Sequence, residues 1–159
     1  ITIATAAYLK QKVAHGADLI QIFDSWAGVL PPVMYREFSL RYMNQLVNEL
    51  KDITPVTVFA KDARHAIPYL QEAGPNVIGL DWVAEPMEIR KIVGNEQVLQ
   101  GNLDPTQLYA NPETVAAATR NMLEQFGPHH IANLGHGVYP DTPLDGVKAF
   151  VNTVKEYRY

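Results

Sequence analysis

Apolar residues in this chain gather into five short runs, LIQIFDSW, TVFAKD, VIGLDW, QVLQGNLD and IANLGHG, each stopping at a polar residue ahead of a helix-like stretch. Parallel strands buried on both faces read as near-continuous aliphatic runs. Strands are therefore predicted to start near Asp18, Thr54, Asn76, Gln97 and His130. The gaps between them are too long for tight hairpins and hold room for a loop, a helix and a return. Right-handed helical crossovers between parallel neighbours are the simplest connection, so the predicted fold class is α/β, built from repeated βα units. A closed (β/α)8 TIM barrel needs more units than these five. The pattern therefore fits either an open doubly wound sheet or the last five βα units of a partial barrel.

Helical spacing fills the gaps. Ile3, Ala7, Leu9, Val13 and Ala14 share a rough face of a first helix that ends at His15 and Gly16. Pro31 and Pro32 open a second that runs to Leu50, with Phe38, Tyr42, Leu46 and Leu50 on one stripe. A third covers about Arg64 to Glu72 and stops at Gly74, with Pro68 either kinking it or shifting its start. Pro86 and Gly94 bracket a fourth, Pro112 and Phe126 a fifth, and a last helix covers Asp145 to Tyr157. No low-complexity tract or linker divides these elements, so residues 1–159 are expected to form a single domain. The pattern opens inside a helix and without an initiator Met, which leads us to expect further sequence upstream.

Composition narrows the function classes. The chain is 47% hydrophobic and 19% charged with a net charge of −4, which suits a globular protein and gives no basic footprint for nucleic acid. Expected partners are small molecules or protein. No apolar run approaches the roughly 18 residues of a membrane span, and the first residues lack the basic start and long apolar stretch of a signal peptide. The expected location is cytoplasmic, with no membrane partner. The absence of cysteine removes disulfides, thiolate metal ligands and thiol nucleophiles.

Chemistry-bearing residues stand at the predicted strand ends: Asp24 and Ser25, Lys61 and Asp62, Asp81, Asn102 and Asp104, and Asn133 with His136. Polar groups at the C-terminal ends of parallel strands are where α/β proteins bind ligands. Asp24, Asp81 and Asp104 each have a competing reading as helix caps or structural groups, and Lys61 as a solvated or ion-paired side chain. His136 is singled out by Gly135 and Gly137, which let backbone approach a ligand while the imidazole projects from a loop. His129 and His130 precede a strand and His15 ends a helix, so these three are read as structural or solvent-facing. Ser25 has no histidine or acid beside it in sequence, and a ligand-binding hydroxyl fits it better than a nucleophile. Trp26 and Trp82 could wall a large apolar ligand or simply pack.

The ordered motifs FDSWAG, FAK, GLDW, LQGNLDP and IANLGHGVYPD resemble the C-terminal part of the uroporphyrinogen-III decarboxylase family, along nearly all of the chain. The resemblance implies a partial (β/α)8 barrel of about half the family's length. It also implies a carboxy-lyase of haem biosynthesis that needs no cofactor and no metal. The substrate it implies is a tetrapyrrole, uroporphyrinogen III, whose four acetate side chains become the methyl groups of coproporphyrinogen III. Carried over by motif, Ser25 of FDSW and His136 of NLGHG are implied to be substrate-binding. No catalytic residue can be assigned, because the family's aspartate, tyrosine and arginine-rich segment lie upstream of this stretch. The chain departs from the family at Asp62-Ala63-Arg64, where glycine is usual, which bears on the loop after FAK.

The resemblance further implies a homodimeric parent. For this chain the expectation is inactivity alone, and association with the missing segment or with itself, since a partial barrel leaves two strand edges unpaired. Ser25 and His136 are expected to gather at one tetrapyrrole pocket. Two other readings stay open: a non-catalytic binding or assembly module derived from the barrel, and a cobalamin- or methionine-type methyltransferase. The zinc of such methyltransferases is held partly by cysteine, which this chain lacks.

Overall fold

A computed structural model describes residues 1–159, which divide into two compact units, Ile1–Gly79 and Leu80–Tyr159. In the first, α1 (Thr2–Ala14) leads into β1 (Ile20–Asp24), a 3-10 turn (Ala27–Val29) and α2 (Pro32–Tyr35). A π-helical turn (Arg36–Leu40) joins α2 to α3 (Arg41–Leu50); β2 (Val56–Ala60), a 3-10 turn (Arg64–Ala66), α4 (Ile67–Ala73) and β3 (Val77–Gly79) follow. β1 pairs with β2 in parallel from Ile20 opposite Val56 to Asp24 opposite Ala60, and β2 pairs with β3 in parallel from Thr57 opposite Val77. Ile20, Ile22, Val56 and Val58 pack with Tyr35, Leu40, Val47, Leu50 and Leu70 in a buried core.

Two helical faces differ from the sequence reading. In α1, Ala6 is buried and Leu9 and Val13 pack partly against the core, whereas Ile3 is 89% exposed and Ala7 and Ala14 face outward. The inward stripe follows the spacing of Ala6, Leu9 and Val13, the i, i+3, i+7 rows of an α-helix. In the second predicted helix the π turn inserts an extra residue per turn, so the buried row runs from Tyr35 to Leu40 and then Leu46, Val47 and Leu50. Phe38 and Tyr42, placed on the buried stripe by uniform α spacing, are 56% and 41% exposed. Pro68 neither breaks nor kinks its helix: a 3-10 turn precedes it and Pro68 occupies the first turn of α4, which closes at Gly74 in the left-handed region.

The second unit holds α5 (Pro86–Val93), β4 (Val98–Leu103), a 3-10 turn (Pro105–Tyr109), α6 (Pro112–Phe126), β5 (His130–Leu134) and α7 (Leu144–Glu156). β4 and β5 pair in parallel from Leu99 opposite His130 to Leu103 opposite Leu134, and the Leu80 N–H donates to the Gln100 carbonyl at 2.8 Å. Each of the five strands begins at its predicted start or one or two residues after it. Both α5 and α6 open on their predicted prolines, and the Asn111 side chain caps α6 by accepting from the Thr114 N–H.

Arg90, 8% exposed, holds this unit's ends together. Its Nε donates to the Phe126 carbonyl at 3.1 Å, Nη1 to Gln97 at 2.6 Å and Gly94 at 3.2 Å, and Nη2 to His129 at 2.8 Å. The guanidinium thereby binds the carbonyls at the ends of α5 and α6, where intrahelical partners run out, and those just before β4 and β5, of which His129 also accepts from the Leu99 N–H at 3.2 Å. His130 stacks on Phe126 with ring centroids 4.0 Å apart and 6° between planes. Its Nε2 meets the Gly101 carbonyl; a carbonyl only accepts, so Nε2 carries a proton. The structural reading of His130 therefore stands, while His129 is exposed with Glu96 4.0 Å away, and the His15 ring meets the Gln11 carbonyl.

Two outcomes follow from these contacts. Arg90→Met strands several buried carbonyls and should lower unfolding free energy by about 3 kcal/mol in urea titrations; an unchanged midpoint would rule out the carbonyl clasp. Burial lowers His130 from 6.5 to about 4, the Gly101 carbonyl opposing the shift and the Arg90 charge adding to it. Above pH 6.5 folded and unfolded forms are both neutral there. Between 6.5 and 4 only the unfolded chain takes up the proton, so stability falls with acidity over that window, by roughly 3 kcal/mol in all. His130→Gln should remove most of that acid-side loss in thermal melts, and melts that fall as steeply without His130 would contradict it.

Candidate functional site

In the second unit the C-terminal ends of β4 and β5 and the turn after Leu80 meet. Asn102, buried near the end of β4, donates through Nδ2 to the carbonyls of Asp81 at 2.8 Å and Ala84 at 2.6 Å. One carboxamide thus fixes the turn that carries Asp81 and Trp82. Asp81 is 5% exposed. The Gly135 N–H donates to the Leu103 carbonyl at 2.8 Å, extending the β4–β5 register by one residue. Gly135 also lies against that same turn: a Cβ there would sit 2.7 Å from Trp82 Cα and 2.8 Å from the Asp81 carbonyl carbon, distances no side chain tolerates. Glycine at this position is a steric requirement of close backbone approach.

The next residue, His136, leaves the strand with its imidazole exposed. Its ring meets the Trp82 indole edge to face, centroids 5.6 Å apart at 87°, and Nδ1 lies 3.2 Å from the Gly137 carbonyl. The far side of the same loop is tied by the Tyr109 hydroxyl, which donates to Asp141 Oδ1 at 2.6 Å; that bond to the carboxylate raises the Tyr109 pKa. Asp104 accepts from the Thr106 N–H and caps the turn after β4, as the capping reading has it. Asn133 Oδ1 accepts from the neighbouring Leu134 N–H. Asn102 and Asp104 are thus engaged in holding backbone, whereas His136 offers its imidazole outward.

In the first unit the end of β1 carries Asp24, Ser25 and Trp26. The Ser39 hydroxyl, from the π turn, donates to Asp24 Oδ2. Burial pushes the nearby Tyr35 phenol up to about 12, with the Ser39 hydroxyl opposing and the Asp24 carboxylate adding to the rise, so Tyr35 stays a neutral phenol at physiological pH. Ser25 is exposed in the turn directly after Asp24, and Trp26 is 78% exposed rather than packed. Lys61 is ion-paired, its Nζ 3.6 Å from Asp62 Oδ2, and its N–H donates to the Asp24 carbonyl. Asp62 takes a left-handed φ of 56°, a conformation glycine enters freely and aspartate tolerates better than most residues. The Asp62-Ala63-Arg64 departure therefore keeps the glycine-like turn. Gly28 fits beneath it, since a Cβ there would lie 2.5 Å from that of Asp62.

Sequence reasoning missed Tyr35 and Ser39 as neighbours of Asp24, because a π turn breaks the spacing by which they would be placed. It missed Tyr109 for want of any local signal linking it to Asp141. Trp82 was in view as a possible ligand wall or packing residue; its partner, His136, lies far along the chain.

Exposed chemistry on loops that follow the C-terminal ends of parallel strands defines an α/β protein of repeated βα units. A solved methyltransferase from Methanosarcina mazei shares this fold with a TM-score of 0.86 and 23% identity, over 98% of this chain and 47% of its own. The family model described as Uroporphyrinogen decarboxylase (URO-D) matches residues 1–157, and the chain belongs to that family. Among curated relatives named uroporphyrinogen decarboxylase, that of Christiangramia forsetii is 45% identical over 99% of this chain and 47% of its own length. The Flavobacterium johnsoniae protein is 43% identical over 99% of this chain and 46% of its own, and the human protein 41% over 99% and 45%. The chain spans about half the length of the curated relatives it matches. No helix is long and apolar enough to cross a membrane.

Gly135→Ala should displace the 135–137 turn or cost about 2–4 kcal/mol in denaturant unfolding, since backbone rather than a flexible side chain blocks the new methyl. Wild-type stability together with an unmoved His136 resonance would contradict the close approach.

Proposed function

We propose that the whole protein to which this chain belongs is a uroporphyrinogen-III decarboxylase, and that Ser25 and His136 are two of its substrate-binding residues. The observation that carries the reading is the His136 loop: an exposed imidazole at the end of a parallel strand, held by backbone contacts at Gly135, in a chain of this family. A tetrapyrrole with eight carboxylates presents acceptors that a hydroxyl or a protonated imidazole can bind at the substrate's rim.

The chemistry proceeds without a cofactor. Protonation of a pyrrole ring makes it an electron sink; the bond from the acetate methylene to its carboxylate breaks, carbon dioxide leaves and its electrons enter the ring. A proton then adds to the methylene carbon, giving a methyl group as the ring gives up its own added proton. Ser25 donates to a carboxylate; His136 donates to another or delivers a proton. The reading keeps the cytoplasmic location and the homodimeric parent. It also keeps a single barrel domain to which residues 1–159 contribute.

This chain alone is taken to be inactive and to associate with a further βα segment or with a second copy. Supporting that, Phe23 on β1 and Ile131 on β5 are 62% and 43% exposed. Chromatography of porphyrin products by carboxyl number checks the proposal. The full-length protein should convert uroporphyrinogen III to coproporphyrinogen III. His136→Ala should lower turnover by about a hundredfold, and Ser25→Ala should raise KM by about tenfold. The 159-residue chain by itself should give no product. Turnover by the isolated chain would overturn the inactivity proposed for it, and no product from the full-length protein would overturn the function.

A further inference from the structure

An exposed imidazole on a glycine-flanked loop has little to fix its rotamer. His136 has one hydrogen bond, to the carbonyl of the adjacent Gly137, and that contact travels with the loop. The contact that does not travel with it is the edge-to-face packing on Trp82. Trp82 is itself anchored, because Asn102 holds the carbonyls on either side of it, at Asp81 and Ala84, and the Ala84 N–H also donates to Asp81. Gly135 then presses the start of the His136 loop onto the same peptide, which leaves the indole and the imidazole facing each other across backbone that neither can shift.

We infer that Trp82 is a positioning residue that holds the His136 imidazole in one rotamer for its ligand. The part of this that concerns a ligand rests on the decarboxylase reading; the part that concerns the rotamer does not. Edge-to-face aromatic pairs bias a conformational equilibrium by a few-fold to about tenfold, enough to turn a freely sampling exposed ring into a largely ordered one. An aliphatic side chain at 82 would fill part of the same space without the ring quadrupole that favours the perpendicular arrangement. Phenylalanine would retain it.

Nuclear magnetic resonance on the protein separates these cases through the χ1-dependent three-bond couplings of His136. His130, stacked on Phe126 in the same unit and away from Trp82's ring contact, reports whether the fold is intact. Wild type and Trp82→Phe should give single-rotamer couplings for His136, and Trp82→Leu should average them, with His130 unchanged in all three. In the full-length protein, Trp82→Leu should lower kcat by about tenfold with KM moving less than about threefold, and Trp82→Phe should restore most of it. Unaltered His136 couplings in Trp82→Leu overturn the inference. So does averaging of both histidines in Trp82→Leu that Trp82→Phe fails to reverse, and so does averaged His136 with full turnover. A wild-type protein that decarboxylates nothing defeats the proposed function instead, and leaves the couplings to decide whether Trp82 holds the ring.

Discussion

Gly135 lies so close to the peptide joining Asp81 and Trp82 that no Cβ could stand there, and the residue that follows it is His136. The contact matters because a loop after a parallel strand is otherwise free to choose its exit direction. Two backbones in van der Waals contact remove that choice, and the hydrogen bond from Gly135 to Leu103 fixes the register at which it happens. Asn102 completes the arrangement by holding the carbonyls of Asp81 and Ala84 in the turn against which Gly135 lies. Rigid support beneath an exposed functional group is what keeps a site from paying for order each time it binds.

The end of β1 reaches a similar result by different means. Asp24 accepts from Ser39, while Lys61 and Gly28 are tied backbone to backbone, so the turn bearing Ser25 is braced by the π turn on one side and by the loop after β2 on the other. Asp62 takes a left-handed conformation of the kind glycine enters freely. The two strand ends share a design in which glycine or a glycine-like turn lets backbone approach backbone, and a polar side chain, the buried Asn102 or the half-buried Asp24, closes the gap.

Much of this architecture could be read from the chain because it rests on local rules. Strand starts followed from aliphatic runs, and the helices opening at Pro86 and Pro112 followed from proline's place in the first turn. Misreadings came where uniform periodicity failed. The π turn at Arg36–Leu40 exposed Phe38 and Tyr42 and put Tyr35 beside Asp24, and no residue in that stretch announces the extra residue per turn. In α1 the apolar count exceeded the inward stripe, leaving Ile3 outside. Candidate residues could be named by type and place, as with His136 between two glycines, but their partners could not. Asn102 clasps carbonyls 21 and 18 residues away and Tyr109 reaches Asp141 across 32, separations over which sequence carries no pairing signal.

The central claim is that the imidazole fixed above the Asp81–Trp82 turn is a ligand-binding group rather than a surface histidine. A structure of the full-length protein with coproporphyrinogen bound tests it most directly. The account predicts a His136 ring nitrogen within about 3.2 Å of a ligand carboxylate oxygen. A tetrapyrrole seated with that ring out of reach, the histidine still open to solvent, would contradict it.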